Sequence, residues 1–166
     1  MTEVRYILSF KGLPEGDFKE VFTLSGDFLT TIEGFDILGG EVKVEAEGSR
    51  CGDNFEVDFV LSGKIQTLCD RCNTPLTVSL DAVFPVDFSF GESTKEVADN
   101  VFVVSRNEPE FVLDELFWQW VVLAIPMRKV HPEGACSEAV EDFFRKQQRD
   151  TKDARWASLE QIEFDK

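Results

Sequence analysis

Cys69 and Cys72 form a C-x2-C pair, and His131 and Cys136 form a second pair just past an apolar stretch that stops at Pro126. Three thiolates and an imidazole make a complete tetrahedral donor set for a soft divalent metal, zinc above all. Four protein donors close the coordination sphere and leave no position for water, so the expected role is structural and no catalytic residue is assigned. Between Cys72 and His131 lie 58 residues, far more than in a zinc finger, so a metal held here would cross-link distant parts of a fold. Pro132 and Gly134 supply the loop that lets His131 and Cys136 turn back upon one ion.

The same residues admit other readings. A redox C-x-x-C needs a thiol at a helix N-terminus in a βαβ context, whereas both flanks of Cys69-Asp70-Arg71-Cys72 alternate with period two. A loop histidine and a small buried cysteine with no metal at all is the plainer alternative. A zinc hydrolase would keep three ligands and a water, with Glu133 as general base; no other polar cluster points to a small-molecule substrate. Cys51 has no partner by spacing and is expected in a hairpin turn.

The elements that must position these donors follow from hydrophobic periodicity. Arg5–Phe10 and Lys19–Leu24 are short β-rich runs separated by a Gly- and Pro-containing turn, and Asp27–Gly34 allows a short helix. Glu41–Glu47 and Phe55–Leu61 alternate cleanly around Gly52-Asp53-Asn54, predicting an antiparallel hairpin. Lys64–Leu68 would be a third strand leading into Cys69, and Leu76–Phe90 a long one bent or interrupted at Pro85. Gly91–Asn100 reads as a mobile polar loop and Val101–Val104 as a brief strand. Leu113, Leu116, Phe117, Trp120, Val121 and Ala124 then recur at helical spacing. Trp118, Val122 and Ile125 fall off that stripe, so the helix is expected to be wrapped on most sides. Ser137–Gln148 is a further helix. The expected architecture is α+β: an antiparallel, partly closed sheet with one main packed helix, residues 1–137 forming the domain and 138–166 a helical tail.

The chain of 166 residues carries 17 Lys and Arg against 32 Asp and Glu, a net charge of −15. Such a surface repels phosphate backbones and attracts basic partners. A local exception lies at Arg145–Arg155, where Arg145, Lys146, Arg149, Lys152 and Arg155 face two acidic residues. That stretch is either a solvated helix face or a contact surface. Leu116–Ile125 spans only ten positions, too short to cross a bilayer. The N-terminus lacks the charged-then-apolar pattern of a signal peptide, so a cytoplasmic protein with thiols or metal ligands is expected.

Three stretches resemble the YceD family, the large ribosomal RNA subunit accumulation proteins of bacteria. Leu68–Leu76 is similar to a C-x-R-C-L-x-P element, Leu113–Met127 precedes the second ligand pair, and Asp153-Ala154-Arg155-Trp156-Ala157-Ser158-Leu159 is similar to a D-P-R-W-x-x-L tail. Many members carry a second cysteine pair after the helix; His131 stands here where the first of those thiols would be, an exchange that preserves zinc binding. Ala154 replaces the expected proline. The resemblance implies a role in ribosome biogenesis, supporting accumulation of large-subunit ribosomal RNA, with no established enzymatic activity. Given the charge, the expected partner is a basic ribosomal protein or assembly factor rather than RNA itself. Arg71, Arg145, Lys146, Arg149, Arg155 and Trp156 are the candidate partner contacts. A zinc-stabilised interaction module unrelated to ribosomes is the competing class.

Overall fold

A computed structural model of the protein describes residues 5–149. Its elements run β1 (Ile7–Ser9), β2 (Gly16–Leu24), α1 (Gly26–Thr30), β3 (Gly39–Cys51), β4 (Asn54–Leu68), β5 (Pro75–Gly91), β6 (Lys95–Ala98), β7 (Val101–Ser105), β8 (Glu110–Val112), α2 (Asp114–Ala124) and α3 (Glu138–Arg149). Six strands form one sheet in the order β2-β3-β4-β5-β7-β6, and β1 pairs with β8 as a separate ribbon. All pairs are antiparallel except β5 with β7. The fold is α+β. Closure takes the form of a cover: the six-stranded sheet stays open, while the ribbon, α1 and α2 lie across one face.

The alternation in the sequence decides which face that is. Val42, Val44, Ala46, Phe55, Val57, Phe59, Leu61, Val86 and Phe88 all point to the covered side and are buried, as period-two side chains must. Phe10 of the ribbon meets Phe55 and Phe88 at centroid distances of 4.8 and 5.1 Å. From α2, Trp120 lies 4.8 Å from Phe59 and stacks on Phe84 at 5.2 Å. Tyr6 ties the cover together, its ring edge-on to Phe28 and Phe117 and its hydroxyl donating to the Thr23 carbonyl. The Tyr6 N–H donates to the Asp114 carboxylate at the start of α2, and Leu113 N–H returns a bond to the Tyr6 carbonyl.

Several expectations are corrected. The separate strands Phe55–Leu61 and Lys64–Leu68 are one strand, β4; Gly63 does not break it because β3 crosses so close that a Cβ there would sit 2.4 Å from the Glu41 carbonyl oxygen. Nor does Pro85 interrupt β5. Asp87 N–H points away from β4 to the Asn100 carbonyl, so Pro85, two residues earlier, turns its missing N–H to the same side, where β7 has not yet begun. The loop Gly91–Asn100 contains β6. The short β8 was not expected; it pairs register-for-register with β1. Finally, α2 is not wrapped on most sides: Trp118 is 38% exposed and Leu123 71%. Its buried residues are those of the i, i+3, i+4 stripe. Among the described residues, no helix is long and apolar enough to cross a membrane.

Candidate metal centre

The β4–β5 connection is a tight knuckle rather than an open loop. Cys69 N–H donates to the Thr74 carbonyl, continuing the strand ladder by one rung, and Asn73 N–H donates back to the Cys69 carbonyl. Asn73 adopts φ 55°, a left-handed conformation that asparagine tolerates better than other side-chain-bearing residues. The turn directs the Cys69 and Cys72 sulfurs toward the chain leaving α2.

That chain is brought back by Asp70. Its N–H donates to the Lys129 carbonyl at 2.7 Å, and its carboxylate accepts from Lys129 N–H at 2.6 Å. The Lys129 ammonium lies 3.8 Å from the same carboxylate. Two residues on, His131 reaches the knuckle, and a turn closed by Ala135 N–H to the Pro132 carbonyl, with Gly134 at φ 79°, returns Cys136 to it. The Asp70 lock was not visible in the residue spacing, because nothing in a C-x-x-C pair says what its inner residues bind.

Donor atoms of Cys69, Cys72, His131 and Cys136 all lie within 4.8 Å of one another. The His131 Nδ1 is 3.4 Å from the Cys72 sulfur and 3.9 Å from that of Cys136. An ideal tetrahedral zinc site, with zinc–sulfur near 2.3 Å and zinc–nitrogen near 2.0–2.1 Å, separates such donors by about 3.5 Å. His131 Nε2–H donates to the Pro75 carbonyl at 3.1 Å, which fixes the tautomer and leaves the Nδ1 lone pair facing the sulfurs. A metal-ligating histidine needs this outer bond. Cys69 and Cys136 are buried, whereas Cys72 and His131 are partly exposed. The four residues can hold a metal ion.

Their proton affinities are pulled apart. Burial works to raise the Cys69 thiol, but the backbone N–H groups of Cys72, Arg71 and His131 outweigh it and bring Cys69 down to about 6. Cys72 is lowered chiefly by the Thr74 hydroxyl, 3.1 Å from its sulfur. His131 is raised, first by the Cys69 sulfur. Burial, then the neighbouring sulfurs of Cys72 and Cys69, pushes Cys136 up to about 11. A pocket that draws two thiols toward thiolate, yet crowds in a third sulfur whose thiol is held up by its neighbours, is a pocket whose charge a divalent metal would balance.

The candidate partner contacts fall in different places. Arg71 is turned inward: its guanidinium lies 3.4 Å from the Glu141 carboxylate and 5.5 Å from the Phe144 ring centre, so it fastens α3 beside the knuckle. Arg145 pairs with Asp142 one turn back on α3, and Lys146 is exposed. Arg149 ends α3. Arg155 and Trp156 lie outside the described residues. Glu133 is exposed beside His131, on the rim of a concavity shared with Arg71, Arg128 and Glu141. Cys51 is exposed at the β3–β4 hairpin, as its spacing suggested.

Fold and centre together define an α+β domain whose sheet turn and post-helix loop share one Cys/His cluster that could hold a metal ion. Residues 57–163 match the family described as large ribosomal RNA subunit accumulation protein YceD, and the chain belongs to that family. The matched span contains both ligand pairs, the whole of α2 and the Asp153–Leu159 tail. Comparison with curated proteins and with solved structures gives no match.

Proposed function

We propose that this protein is a non-enzymatic accessory factor of ribosome biogenesis that supports accumulation of large-subunit ribosomal RNA, with Cys69, Cys72, His131 and Cys136 as a structural zinc clip. The observation that carries the reading is the family match, whose span encloses the converging cluster. Zinc is the metal favoured by three sulfurs and one nitrogen in a tetrahedron, and four protein donors leave no open position for a reacting water. The net charge of −15 argues that the protein acts through a basic ribosomal protein or assembly factor, not by gripping RNA phosphates. In this reading it works in the cytoplasm and takes no small-molecule substrate.

Depletion in cells, followed by re-expression, tests this. The ratio of large- to small-subunit ribosomal RNA is expected to fall on depletion and to recover with the wild-type chain. The protein should also co-sediment with large-subunit precursors. An unchanged ratio together with no co-sedimentation would leave the module without a ribosomal role.

A further inference from the structure

Strands β2 to β5 turn one face to the core and leave the other bare among the described residues. Cross-strand register sorts that bare face into transverse rungs. Asp17, Ser49, Glu56 and Asp87 form one, and none of its three carboxylates has an ion-pair partner among the described residues. Two rungs along, Val21, Glu45, Val60 and Val83 line up. Val21 is 50% and Val83 54% exposed, an apolar strip on an otherwise charged sheet. The lysines near that strip are already matched, Lys19 to Glu45 and Glu47 and Lys43 to Glu45. A concavity of about 720 Å³ lies over Asp17, Glu56, Pro85 and Asp87.

We infer that this face is the docking surface for a lysine- or arginine-rich polypeptide segment that carries an apolar side chain beside its charges. The inference rests on the function proposed above and names the surface through which that partner is held. Same-face residues on a strand recur about every 6.6 Å, so the acidic and valine rungs are about 13 Å apart. One extended segment laid along the strands reaches both with side chains at i and i+4. Open carboxylates favour a cation there and reject a polyanion such as RNA. A second copy of this chain, docked by the same face, would set carboxylate against carboxylate.

The test uses the full chain, with large-subunit ribosomal proteins purified free of RNA and added singly as probes. At least one is expected to bind, more weakly as salt rises. Glu56→Lys with Asp87→Lys, and separately Val83→Lys, should weaken that binding about tenfold or more. Glu33→Lys with Glu92→Lys makes the same charge change away from the face and should leave affinity within about twofold. All three proteins should keep the wild-type thermal midpoint. The inference is overturned if no ribosomal protein binds, if the control loses as much as the face variants, or if the face variants bind like wild type. Ribosomal RNA binding directly to the face, or a dimer abolished by Val83→Lys, also overturns it. Re-expression in depleted cells separates the two failures. Face variants that fully restore ribosomal RNA sink the docking surface alone, whereas a wild-type chain that is not needed sinks the function beneath it.

Discussion

The Nε2–H bond from His131 to the Pro75 carbonyl decides which ring nitrogen faces the sulfurs, and it ties the loop after α2 to the first residue of β5. Cys69→Ser and His131→Ala should each abolish stoichiometric zinc in freshly purified protein, while His131→Cys should retain it, since four thiolates serve zinc as well. Thr74→Ala removes the hydroxyl beside the Cys72 sulfur and should weaken zinc binding by about tenfold, the lower range for lost outer partners; competition with a chelating dye measures all four. The convergence of these four side chains on one point, a cluster that could hold a metal ion, was legible from residue type and spacing, because so few residues offer soft donors. What surrounds them was not: Asp70, Thr74 and the Pro75 carbonyl act through geometry that a pattern of letters does not carry. Glu20 makes a separate prediction. Partial burial on β2 raises its carboxyl above the usual range, so the folded state disfavours the charged form and loses stability as pH rises through that raised value. Glu20→Gln should therefore raise the thermal midpoint at pH 7 and leave it unchanged at pH 3, below the ordinary glutamate value of about 4.3.

At the scale of elements, α2 shows how far periodicity reaches. Its spacing identified the buried stripe, and Trp120 is 2% exposed between Phe59 and Phe84. Trp120→Ala should cost about 3–5 kcal/mol in denaturant unfolding, whereas Trp118→Ala, at a residue 38% exposed, should cost less than about 1 kcal/mol. Of the apolar residues off the stripe that suggested burial on most sides, Ile125 is buried but Trp118 is exposed, as is Leu123, because hydrophobicity says a residue can be buried and not that a neighbour exists to bury it. In the sheet, Gly63 lies between the two runs expected as separate strands, and its lack of a side chain is what lets β3 pass close to β4. Gly63→Ala puts a Cβ against backbone and should cost about 1–3 kcal/mol, as overpacking does. The proposed clip would likewise be an element-scale device, since the knuckle and the post-helix loop meet at the Cys/His cluster and at Asp70–Lys129. Chelation should leave the far-ultraviolet β signal intact, lower the thermal midpoint, and speed amide exchange through residues 127–137 more than in β3–β5.

Across the whole molecule, the clip, the covered face and the bare face divide the labour. One face of the sheet holds the aromatic core, the Asp70–Lys129 bonds and the Cys/His cluster bring the chain leaving α2 to the β4–β5 turn, and the other face carries eight of the 32 acidic residues. The α+β class was legible because long alternating runs precede a helical stripe. The parallel partnership of β5 with β7 and the pairing of β1 with β8 were not, since they join segments 14 and about 100 residues apart whose match lies only in register. The central claim is that four donors from these distant segments hold one zinc ion in the native protein. Zinc K-edge X-ray absorption on the full-length chain tests it most directly. The predicted result is three sulfurs near 2.3 Å and one nitrogen near 2.0–2.1 Å with no bound water; a first shell with fewer than three sulfurs, or containing water oxygen, would contradict it.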